Sequence, residues 1–126
     1  MSLVRHTVVT PGFSRKDERG LFTEVIAGFP AKALLSGRMK AGAVMGNHYH
    51  EKTRIFFYVQ DGAVEVRTVD VATGARDRFT LKSGEGVVLE PGVSHAICFT
   101  AESSWLMLKS EAHDPNDPDT VPHPVP

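Results

Sequence analysis

The chain has 126 residues, 41% of them hydrophobic, which is enough for one domain with its own core and too apolar for a disordered segment. Lysine and arginine number 14 against 15 aspartates and glutamates, a net charge of −1, so neither a basic face nor a nucleic-acid partner is expected. The single cysteine, Cys98, excludes an internal disulfide, and in the run Ala96-Ile97-Cys98-Phe99 it reads as a small buried hydrophobe.

Met1 to Thr10 has no apolar stretch of signal-peptide length, and the longest apolar run, Ile55 to Val59, is far too short to cross a membrane. A soluble cytoplasmic protein with no membrane partner is the expectation. Leu3 to Val9 reads as a short first strand, one that two subunits can exchange. Leu21 to Ile26 and Leu34 to Lys40 follow as strands, with Pro30 to Leu35 able to make one helical turn. His48 and His50 sit two apart in an extended stretch, which puts both imidazoles on one face.

Ile55 to Gln60 is the next strand, and Asp61-Gly62 turns it into Val64 to Val69, whose strict alternation marks a half-buried strand. Phe79 to Leu81, Val87 to Leu89, His95 to Phe99 and Trp105 to Leu108 complete the series, separated by Thr73-Gly74, Ser83-Gly84 and Pro91-Gly92. Many short strands with regular turns and little or no helix predict an all-β sandwich or closed barrel over residues 1–113. Residues 114–126 hold five prolines and three aspartates and are read as a tail, either an arm laid on the surface or a loose end. His6, His113 and His123, near the termini, read as exposed.

Two segments carry chemistry. The first runs from Gly42 through five residues to His48-x-His50 and on to Gly62. The second runs from Gly84 through Glu90-Pro91-Gly92 and two residues to His95. Together they resemble the paired motifs of the cupin superfamily. That resemblance implies an antiparallel jelly-roll β-barrel with His48, His50 and His95 converging in its mouth. The chain also departs from the pattern. The family's metal-binding Glu falls on Ile55 counting back from Gly62, or on Arg54 counting forward from His50. Glu90 stands in the usual Pro position and Phe99 replaces the final Asn.

The flanks carry a narrower resemblance. Asp17-Glu-Arg-Gly20-Leu-Phe-Thr-Glu24 looks like the entry segment of RmlC-like, sugar-nucleotide-modifying cupins. Gly46-Asn-His-Tyr-His50 and Asp114-Pro-Asn-Asp-Pro-Asp-Thr120 are similar to the cupin domain of capsular-polysaccharide UDP-sugar reductase/epimerases. The dTDP-sugar ketoisomerases likewise keep His-x-His without a Glu ligand. Such cupins imply an isomerase or epimerase acting on a nucleotide-linked keto sugar, with His48 and His50 as base and donor beside the ketone. Arg54 and Arg38 are candidates for a diphosphate and Tyr58 for a further substrate contact. Met39, Met45, Phe57, Phe99 and Trp105 are either pocket lining or plain core.

Two further readings stand beside this one. Three histidines with open positions suit Zn, Fe, Ni or Mn, with Glu24 or Glu51 as a conceivable fourth ligand, which would make a metal-dependent enzyme such as a dioxygenase. Alternatively the barrel binds a sugar-like small molecule without turning it over. For acid/base work each imidazole needs a partner that fixes its tautomer, and Tyr49, Glu51 and Tyr58 are candidates. Sheet edges need cover, and a homodimer is expected.

Overall fold

The structure is a computed structural model that describes residues 6–126. It is an antiparallel all-β jelly roll, as the strand and turn pattern predicts, and no helix occurs among the described residues. One five-stranded sheet joins β1 (His6–Val9), β9 (Gly86–Leu89), β6 (Ile55–Asp61), β11 (Ser103–Lys109) and β4 (Ala33–Met39), in that order. The other joins β12 (Thr120–Pro122), β5 (Val44–His50), β10 (Val93–Phe99), β7 (Ala63–Asp70) and β8 (Arg76–Lys82). A separate hairpin pairs β2 (Phe13–Asp17) with β3 (Gly20–Glu24).

Alternation fixes what each strand buries. In β6 the inner positions are Ile55, Phe57 and Val59; in β7 they are Val64 and Val66, and in β10 they are Val93, Ile97 and Phe99. With Leu81, Val87, Leu89, Trp105 and Met107 these side chains fill the space between the sheets. Apolar burial on this scale is the main stabilising term, on the order of 1.5–3 kcal/mol per large side chain. Phe57 and Phe99 are therefore core, while Met39 packs at the core's margin.

Several local expectations are corrected. Pro30 to Leu35 forms no helical turn, because β4 already begins at Ala33. The first strand begins at His6 among the described residues and pairs with β9 of the same chain; Leu3 to Arg5 lie outside the described residues. Neither His6 nor His123 is exposed: His6 stacks on Phe79 at 4.9 Å, and His123 meets Tyr49 edge-on at 5.9 Å.

The proline-rich end of the chain is part of the second sheet. Thr120–Pro122 pairs with His48–His50, and the residues after it cross the outer face of β5 and β10. The His123 carbonyl accepts from the Ser94 hydroxyl, Val125 is buried, and its N–H donates to the Asn47 side chain at 3.0 Å. Outward-facing Ser94 is buried beneath this strap. A three-residue edge strand is as much pairing as prolines at 118 and 122 allow.

Candidate active site

The site starts with a bulge in β5. His95 pairs with His48, but Ala96 pairs with Gly46, so Asn47 is an extra residue on β5. The extra residue reverses the alternation. Met45 faces inward opposite Ile97, and His48 and His50 face inward too, although Met45 and His48 are three positions apart, which in a regular strand would put them on opposite faces. Gly46 (φ 97°) and Asn47 (φ 59°) both occupy the left-handed region. A Cβ on Gly46 would lie 2.5 Å from the His95 carbonyl oxygen, so only glycine fits. Asn is among the few residues that tolerate such a φ, and the tail clamps it through the Val125 N–H on its side chain and the His123 N–H on its carbonyl.

The three imidazoles converge as the paired motifs imply. Ring centroids are 5.1 Å apart for His48 and His50, 4.9 Å for His48 and His95, and 6.2 Å for His50 and His95. They line a cavity of about 230 Å³ whose apolar wall includes Met45, Ile55 and Trp105. The position where the cupin pattern expects a Glu is thus inside the cavity, and Ile55 fills it. A second groove of about 300 Å³ adjoins the first, and Lys109 and Thr120 line both.

Each histidine has a distinct environment. His50 Nδ1 lies 3.2 Å from Asp119 Oδ1, so the ring donates there and keeps a bare Nε2. Asp119 is held as an anion by more than this bond. Its Oδ2 accepts from the Thr53 hydroxyl at 2.8 Å and from the backbone N–H groups of Thr53 and Lys52 at 2.9 and 3.0 Å. Burial pushes the Asp119 carboxyl up, but those donors together with His50 outweigh it and hold the group well below the usual carboxylate range. Burial lowers the pKa of His50, Asp119 pulls it back up, and the Lys109 charge lowers it again.

His95 donates Nδ1–H to the Val93 carbonyl at 3.2 Å. Burial, together with the neighbouring His48, drives its pKa down to about 3, so it is a neutral ring at any ordinary pH. His48 is lowered by burial, then by His50, then by Lys109, and no hydrogen bond to its ring nitrogens occurs among the described residues.

Other expected residues lie elsewhere. Arg54 is on the outer side of the first sheet, bidentate to Glu90 at 2.7 and 3.0 Å and lying over the Phe29 ring. Arg38 is exposed and pairs with Glu102 at 3.0 Å, since Gly37 and Met39 take the inward positions of β4. Tyr58 is three residues from Ile55, hence on the opposite face of β6, stacked on Phe56. Glu24 is exposed in the separate hairpin and Glu51 is exposed in a turn, so neither completes a metal shell. Tyr49 faces away with His123, and the tautomer partners are Asp119 and the Val93 carbonyl.

Asp119 and Lys109 are the residues that sequence reasoning missed. Lys109 was accessible from period two, because Trp105, Met107 and Lys109 alternate along β11 and all three line the cavity. Asp119 gave no pattern beyond the Asp-rich tail.

Residues 15–121 match the family described as polysaccharide biosynthesis C-terminal domain. The chain belongs to that family. No curated protein matches the sequence. Among solved structures, a 3,4-ketoisomerase from Thermoanaerobacterium thermosaccharolyticum in complex with TDP superposes with a TM-score of 0.79 at 22% identity, over 97% of this chain and 90% of that one. The rmlC epimerase of Mycobacterium tuberculosis gives 0.78 at 18% identity over 92% and 68% of the two chains. The dTDP-4-dehydrorhamnose 3,5-epimerase of Sulfolobus tokodaii gives 0.78 at 18% over 92% and 77%. These likenesses place the chain in the RmlC-like cupin fold. No helix among the described residues is long and apolar enough to cross a membrane.

Proposed function

We propose that this domain is an isomerase or epimerase for a nucleotide-linked 4-keto sugar of the kind used in cell-surface polysaccharide biosynthesis. The observation that carries it is the His50–Asp119 pair in a cavity that also holds His48. Asp119 fixes the tautomer, so His50 presents a bare Nε2 that can take the proton next to the ketone, and His48 is placed to donate or return one. Returning the proton to the other face of the same carbon epimerises it; returning it to the carbonyl carbon, while the hydroxyl on the deprotonated carbon gives its proton to the former ketone oxygen, moves the ketone. The structural neighbours that are sugar epimerases and ketoisomerases support the same chemistry. The test is incubation with dTDP- and UDP-4-keto-6-deoxy sugars in D₂O, followed by NMR. Ring-proton exchange lost in His50→Asn is the expected result; no exchange with either nucleotide would end the proposal, and binding without exchange would mark a sugar-binding domain.

A second reading is favoured by one feature: one nitrogen from each of His48, His50 and His95 lies within 4.8 Å of the others. The donor type suits a divalent ion, and Asp119 and the Val93 carbonyl orient two of the rings as partners of metal-bound histidines do. The charge balance suits it less, because Ile55 supplies no anionic ligand and Lys109 faces the rings. An ion held there would polarise the ketone. Elemental analysis of the purified protein, with His95→Ala as control, tests this.

The exposed apolar side chains of the β2–β3 hairpin, Phe13, Leu21 and Phe22, support a homodimer in which a second copy covers them. Sedimentation of Leu21→Asp tests that. A lone cysteine suits the reducing cytoplasm, which fractionation checks.

A further inference from the structure

Proton abstraction beside a ketone leaves negative charge on the ketone oxygen, and that charge needs a fixed positive partner. His50 and His95 already give their Nδ1–H groups to Asp119 and the Val93 carbonyl, and neither Arg38 nor Arg54 enters the cavity. The positive charge on the cavity wall is Lys109. Its register partner on β6 is Ile55, the position where the cupin pattern places a metal-binding carboxylate. The chain therefore sets an ammonium beside the place where relatives of that pattern hold part of a metal shell.

Lys109 is also uncommitted. Around the site, Lys32 pairs with Glu111 at 2.9 Å, Lys52 with Asp117 at 2.7 Å and Arg54 with Glu90 at 2.7 Å. No ion pair to Lys109 occurs among the described residues. Its charge is close enough to act on both His48 and His50. Lys109 also lines the adjoining groove, but there Glu111 and Asp117 are already paired with Lys32 and Lys52, and no ion pair ties Lys109 to either.

We propose that Lys109 is a catalytic residue of this domain, the electrophile that holds the ketone oxygen and stabilises the enolate. The proposal rests on the keto-sugar reading above. His50 Nε2 takes the proton from the carbon beside the carbonyl, and the C–H electron pair becomes the new C=C bond. The carbonyl π pair moves onto oxygen, where the Lys109 ammonium meets it. Return of a proton from His48 or His50 reverses the flow, with no net redox change and no external reagent.

The experiment measures ring-proton exchange of dTDP-4-keto-6-deoxyglucose and its UDP counterpart in D₂O for wild type, Lys109→Met and Lys109→Arg. It also measures dTDP and UDP affinity by calorimetry, and fold integrity by circular dichroism. Lys109→Met is expected to lower kcat by about 10²- to 10³-fold, with KM and nucleotide affinity little changed and partial recovery in Lys109→Arg. Chelator-treated wild type is expected to keep its rate. Lys109→Met exchanging as fast as wild type overturns the inference while leaving the keto-sugar reading intact. A loss confined to KM and nucleotide affinity, or a wild-type rate abolished by chelation, overturns it too. No exchange by wild type ends both.

Discussion

Asp119 reaches His50 from the position just before the edge strand β12, 69 residues along the chain, and closes an imidazole–carboxylate pair at 3.2 Å. An Asn at 119 keeps the size and loses the anion that favours the proton on His50 Nδ1. Asp119→Asn is expected to cut turnover by about 10²- to 10⁴-fold, as wrong-tautomer variants of such pairs do. It should also shift the acid limb of the rate profile to lower pH, because Asp119 is what raises the His50 pKa against burial. Rate-against-pH curves for both proteins check this; an unshifted limb would show that Asp119 only holds the tail in place.

His95 makes stability depend on pH. Its folded pKa of about 3 lies below the ordinary 6.5, so between those values the unfolded chain binds a proton that the folded ring refuses. Its contribution is fully present above the ordinary value and is lost as pH falls, at roughly 1.4 kcal/mol per unit. His48 and His50 are lowered too and act in the same sense. Denaturant midpoints should fall between pH 7 and pH 5, and less steeply in His95→Gln. Equal slopes for the two proteins would remove His95 as the cause.

Most strand positions were legible because alternation in segments such as Val64 to Val69 is a direct imprint of one-sided burial, whereas the order of strands within each sheet was not. The histidine cluster was legible from motif spacing. Arg54 and Tyr58 were misplaced because spacing was read without parity. Once Ile55 faces inward, its neighbour Arg54 and the residue three further on face outward. The bulge at Gly46-Asn47 hides from any periodic reading, since its purpose is to break the period. Asp119 was hidden for another reason. It lies in a proline-rich segment whose pairing is decided by β5, and its charge is held by backbone N–H groups that no side-chain pattern reveals.

Arg54 and Glu90 are both departures from the cupin pattern, and they meet each other in a two-point ion pair outside the cavity. The pair is partly exposed, so its coupling should be modest, about 1 kcal/mol or less in a double-mutant cycle. Arg54→Ala should leave KM for a sugar nucleotide unchanged. A raised KM would return Arg54 to the diphosphate role its position in the sequence suggests.

Gly46 is the position where backbone conformation and site geometry coincide most closely. Its φ of 97° excludes ordinary side chains, and any Cβ would press on the His95 carbonyl. Gly46→Ala therefore combines left-handed strain of about 1–2 kcal/mol with displacement of β10 at His95. The displaced strand carries His95 away from its register partner His48, so the cluster opens. The expected outcome is a lowered denaturation midpoint together with lost exchange activity. Asn47→Ala separates the two effects, because it strains the same bulge without touching the His95 carbonyl. It should lose comparable stability, including the bond from the Val125 N–H, while keeping more of the activity. Equal activity losses in the two variants would mean that the bulge as a whole, and not the Gly46–His95 approach, sets the position of the histidines.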